Sequence, residues 1–214
     1  MKTSETLTSC SARLTRLFRV CAAAVAVSLP IVLPQAAHAD AVTPPAVPAA
    51  IAVPTGNTPF LQGHAVGTQG YICQPSGASF AWTFVKPQAT LFDANNEQII
   101  THFLSANPDE SGTPRASWQH SQDTSHVWGN KIASADHTSD PTIVAADAIP
   151  WFLLQVVGKK AGPTGGDTLT ASTYIQRLNT SGGVTPATGC AQSTDVGNKA
   201  LVPYTADYFF FKAN

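Results

Sequence analysis

From about residue 60 onward the apolar residues recur at every second position, not at the three-and-four spacing of a helix. Phe80, Trp82 and Phe84 fall on one side of an extended segment and Ala81, Thr83 and Val85 on the other, the alternation of a strand with one aromatic face. Tyr71-Ile72-Cys73 reads as the strand before it. Asp93-Ala94-Asn95-Asn96-Glu97 has the short polar side chains that stabilise a chain reversal, so the flanking runs 89–92 and 98–104 are predicted to pair as a hairpin. The run 151–157 is apolar except for Gln155, which predicts a strand covered on both faces. Two more strands are read in 168–178 and 201–212, and clusters of Gly, Pro, Asn and Asp at 108–114, 158–166 and 179–183 separate these runs. No segment carries a long, capped 3.6-residue repeat. The pattern predicts an all-β fold: a single-domain antiparallel β-sandwich or barrel with long loops.

The first forty residues follow another rule. Lys2, Arg13, Arg16 and Arg19 precede an apolar stretch from Val20 to Leu33, and Ala37-His38-Ala39 puts small residues at −3 and −1 of a cut before Asp40. This is the layout of a cleaved secretory signal peptide. About fourteen apolar residues interrupted by Pro30 are too few to span ~30 Å of hydrocarbon. The expected organisation is therefore a signal peptide over 1–39, a Pro/Ala-rich leader over 40–59 and one β domain over 60–214. The expected location is secreted or periplasmic, with no membrane span.

Composition sharpens this. Residues 40–214 carry eight Lys/Arg against twelve Asp/Glu, a net charge of −4. That leaves no basic footprint for nucleic acid. Of the four cysteines only Cys73 and Cys190 remain after cleavage, and a single pair in an oxidising compartment predicts a disulfide. There is no Gly-x-Gly-x-x-Gly opening a helix, no P-loop, no His-Glu-x-x-His and no Gly-x-Ser-x-Gly. Nicotinamide dehydrogenases and the well-marked hydrolase families are thereby disfavoured.

Several blocks together carry a resemblance. They are Gly70-Tyr71-Ile72-Cys73, the strand holding Trp82, His102 with Trp118, and Ser125-His126-Val127-Trp128-Gly129. Ala148-Ile149-Pro150-Trp151, Arg177-Leu178-Asn179-Thr180-Ser181-Gly182-Gly183, Gly189-Cys190 and Val202-Pro203-Tyr204 follow. The chain resembles the secreted bacterial and fungal family known as domain of unknown function 3455. The resemblance implies a secreted single domain and supplies no established catalytic residue and no established cofactor.

Candidate chemistry gathers at the histidines and tryptophans. His102 lies in an apolar strand on the face of Ile100 and Leu104, where a neutral buried imidazole is the simplest reading. His120 and His126 flank the polar turn 121–125 between Trp118 and Trp128. If His102, His120 and His126 converge, with Asp123 beside them, they suit a divalent metal. The same surroundings, His102, Trp118, His120, Asp123, His126 and Trp128, form a candidate ligand site. Trp82 and Trp151 read as core, and His64 and His137 as exposed. Arg177, alone in an uncharged strand, is expected to pair with Asp207.

Three functions remain open on these residues. The first is a β domain that binds a small ligand or an envelope or extracellular polymer. The second is a metal-assisted secreted enzyme using the histidines. The third is a structural surface protein.

Overall fold

A computed structural model describes residues 41–214, so the signal-peptide reading of 1–39 and the cut before Asp40 lie outside the described residues. Eight antiparallel strands form a closed barrel in plain sequence order. They are β1 (Asn57–Ser76), β2 (Ser79–Phe92), β3 (Gln98–Asn107), β4 (Thr113–His120), β5 (His126–Ala135), β6 (Trp151–Lys160), β7 (Ser172–Gly182) and β8 (Lys199–Ala213). Of the two architectures the pattern allows, the barrel is the one formed. Closure comes from a long β1–β8 ladder running from Asn57 opposite Ala213 to Ile72 opposite Lys199. A closed sheet leaves no edge to template aggregation.

Alternation along each strand divides the side chains between lumen and exterior. On β8, Tyr204, Ala206, Tyr208 and Phe210 join the inner core with Leu91, Ile100, Trp118, Val127, Leu154 and Ile175. Phe209 and Phe211 belong to a second, outer core with Trp151, Leu153 and Leu178. What covers that outer core is the leader. Val42, Val47, Ile51 and Val53 pack on it, Val144 and Ala148 of the β5–β6 loop complete it, and the Ile51 carbonyl accepts a 2.7 Å hydrogen bond from buried Gln176. The leader is thus a strap that lets one face of the barrel be apolar without being wet. The run 151–157 is covered on both sides for this reason: Trp151 and Leu153 face the strap, Phe152, Leu154 and Val156 the lumen.

The two ends of the barrel differ. At the end bearing the β2–β3, β4–β5 and β6–β7 connections, Ile100, Phe210, Ile175 and fully buried Leu169 fill the lumen. At the other end β1 and β2 run past the β2–β3 pairing, which stops at Gln88 opposite Phe103, as a long arm that β8 flanks as far as Ile72. Trp82, expected in the core, lies half-buried on this arm, where its indole donates to the Thr188 carbonyl at 3.0 Å. The Cys73–Cys190 disulfide ties the arm to the β7–β8 loop, as the single cysteine pair predicts.

Candidate functional site

Beneath the arm, the open half of the lumen holds a cavity of about 250 Å³ lined by Gln69, His102, Trp118, Lys131, Arg177 and Tyr208 among others. Phe84 and Leu104, 49% and 37% exposed, stand at its mouth. Strand register explains the grouping. His102 pairs with Trp118 across β3–β4 and with Ala89 across β2–β3, while Arg177 pairs with Phe152 on one side and Tyr208 on the other. Paired residues in an antiparallel sheet share a face, so both sets point inward.

The His102 imidazole is buried and stacked on the Trp118 indole, centroids 4.5 Å apart and planes 11° apart, with the Tyr208 ring at 5.1 Å. Its Nδ1–H donates to the Ser117 carbonyl at 2.8 Å. That bond fixes the tautomer and leaves Nε2 as an acceptor with no protein partner among the described residues. Burial pushes the imidazole down to about 3, against the smaller upward pull of the Ser117 carbonyl. His102 is therefore neutral at physiological pH. Trp118 can lie flat across the lumen because residue 129 is glycine: a Cβ there would stand 2.9 Å from the indole Cζ3.

Arg177 overturns an expectation. Asp207 sits one residue out of phase, opposite Leu178, and faces outward, where it meets His64 at 2.6 Å and Asn179 at 2.8 Å. The Arg177 side chain instead turns into the barrel, 7% exposed. Its Nε and Nη2 donate to the Pro150 carbonyl at 3.2 and 2.7 Å, and the guanidinium carbon lies 3.9 Å from the centroid of Phe152. No carboxylate lies within ion-pair distance among the described residues. Two further buried donors beside the cavity, Gln69 Nε2 and Trp118 Nε1, have no hydrogen-bond partner. Burial raises the Tyr208 phenol, with Arg177 opposing, so it too is uncharged.

The three-imidazole metal site is not formed. His120 shares the inward side with His102 but lies two pairs nearer the filled end, opposite Ile100. His126 faces the exterior: it stacks on Trp128 at 3.9 Å and lies 5.5 Å from Phe103, the outward neighbour of His102. Among the described residues no three His, Cys, Asp or Glu side chains are grouped to hold a metal ion. Asp123 is a structural hub. It accepts from the backbone and hydroxyl of Ser125 at 2.9 and 2.6 Å and from the Thr168 backbone at 2.9 Å, clipping the β4–β5 turn to the β6–β7 loop. Burial alone would raise its carboxyl, but these bonds outweigh burial and hold it well below the usual range. Trp128 donates to Ser105 Oγ at 2.9 Å on the outer wall. Of the sequence candidates only His102 and Trp118 reach the cavity, while Gln69, Lys131 and Tyr208 were missed.

The family model described as "Protein of unknown function (DUF3455)" matches residues 54–212. The chain belongs to this family. No curated protein and no solved structure matches it. The DUF3455 domain takes in β1 to β7 and β8 as far as Lys212, and with them the cavity and the disulfide. Most of the strap, residues 41–53, precedes it. No helix among the described residues is long and apolar enough to cross a membrane.

Proposed function

We propose that this DUF3455 domain is a small-molecule binding protein that acts outside the cytoplasm and uses the open half of its barrel lumen as the site. The observation that carries this reading is the cavity itself: a pocket closed at its base by the filled half of the barrel, with aromatic walls and a few polar groups. Ligand sites in proteins have this character. A blind pocket suits a small molecule better than an envelope polymer, whose chain needs a groove open at both ends. The metal-assisted alternative rested on three imidazoles converging, and these stand apart. Action outside the cytoplasm is supported by the signal-like first forty residues and by the Cys73–Cys190 disulfide, a bond that persists in oxidising compartments.

Thermal shift against a chemically varied panel of small molecules tests the site, because ligands that bind only the native state raise its melting temperature. Ala116 lines the cavity, and Ala116→Trp fills it. The expected result is a set of stabilising compounds whose effect disappears in A116W while that variant keeps its own cooperative transition. Hits that stabilise A116W equally would place binding elsewhere and overturn the reading.

A further inference from the structure

Taking the lumen as a small-molecule site, we infer that its ligand is a small, flat monocarboxylate whose carboxylate is held by Arg177. Charge is the first argument. Acidic residues outnumber basic ones twelve to eight over residues 40–214, yet the cavity is lined by Arg115, Lys131 and Arg177 and by no Asp or Glu. Arg115 is already neutralised, since its Nε and Nη2 reach the Glu110 carboxylate at 2.8 and 2.7 Å. Lys131 sits at the mouth with its ammonium 4.9 Å from the centroid of Phe152. Arg177 is left as the deep positive charge.

A guanidinium taken out of water is costly unless its charge is matched and its N–H groups are bonded. Arg177 has the Pro150 carbonyl, the Phe152 ring face and the neighbouring Tyr208 phenol for five N–H donors, and no carboxylate to match its charge among the described residues. A carboxylate supplies what is missing, because its two oxygens match the planar fork of a guanidinium. The site thus presents one deep cation and no carboxylate, which selects a single anionic group.

The remaining walls describe the body of the ligand. Trp118, Phe152 and Leu154 present apolar surface, and the stacked His102–Trp118 pair is a flat one. An apolar cavity of ~150 Å³ holds a benzene ring, so 250 Å³ accommodates a ring bearing a carboxylate. His102 Nε2 is an acceptor without a protein partner among the described residues, so a ligand hydroxyl directed at it adds affinity.

The probes are benzoate and benzamide, of nearly equal shape and different charge, titrated calorimetrically at pH 7. We expect benzoate to bind tighter by about tenfold or more, the worth of a charge-assisted hydrogen bond. In Arg177→Gln that preference should vanish while benzamide affinity changes little. Should Arg177→Gln fail to fold, Lys131→Gln at the mouth should reduce the preference only slightly, and the wild-type comparison decides by itself. Equal binding of the two probes to the wild-type lumen overturns the carboxylate inference and leaves the lumen site standing. Binding of neither probe also overturns it, and the panel with A116W then judges the lumen separately.

Discussion

The imidazole of His102 lies against the indole of Trp118 with planes 11° apart, held there by its hydrogen bond to the Ser117 carbonyl. The contact joins two strand neighbours into one rigid wall of the cavity. It also removes a titratable group from water.

Acid should therefore weaken the fold before the carboxylates titrate. His102 has a folded value of about 3 and an ordinary value of 6.5, so as pH falls the unfolded chain takes up its proton first. Stability is complete above about pH 6.5 and declines from there toward pH 3. His126, lowered to about 4 by burial and then by Lys160, adds to the same slope. Urea midpoints at pH 7 and pH 5 should differ in that direction, and the difference should shrink in His102→Asn. An NMR titration showing the His102 ring protonating near 6.5 would contradict the assignment.

Gly129→Val should distort the cavity from the strand beside Trp118. The new Cβ meets the Trp118 ring at 2.9 Å and Leu154 at 3.4 Å. Overpacking of this kind costs about 1–3 kcal/mol. A lower melting temperature together with an altered near-ultraviolet circular dichroism band is the expected signature.

Asp123→Ala should destabilise by about 1–3 kcal/mol, because it leaves the Ser125 and Thr168 donors without their acceptor. Loss of the clip should raise hydrogen exchange at Thr168 and Leu169, whose backbone N–H groups depend on Asp123 and on Ser125 Oγ. Unchanged exchange there would deny Asp123 its hub role.

The disulfide closes a loop of 117 residues. In the chain-entropy account such a closure is worth about 4–5 kcal/mol, a large share of an ordinary domain's stability. Cys190→Ser should lower the denaturation midpoint steeply, and the denatured, unreduced wild-type domain should expose no reactive thiol.

Much of this fold could be read from the chain, and the failures have one cause. Alternation marked the strand around residue 80, a continuous apolar run the one at 151–157, and the Asp93–Glu97 reversal appears where its turn chemistry put it, with Asp93 accepting from the Asn95 and Glu97 backbones. His102 was correctly assigned to the face of Ile100 and Leu104. Closure was invisible, because it depends on β1 meeting β8 across nearly the whole domain. Phase between distant strands was equally invisible. Arg177 and Asp207 are one register step apart, and that step sends one inward and the other out. The same parity separates Trp118 from Trp128 and His102 from His126. The clue to the site lay in the sequence all the same: a lone arginine in an uncharged strand marks a buried charge needing a partner, and a ligand can be that partner as well as an aspartate.

The most direct measurement is a crystal of the protein soaked with 4-bromobenzoate and recorded at the bromine edge. The account predicts an anomalous peak inside the barrel, between the His102–Trp118 wall and Phe152, with the carboxylate against the Arg177 guanidinium. Bromine found only on the outer surface, with the lumen holding water alone, would contradict it.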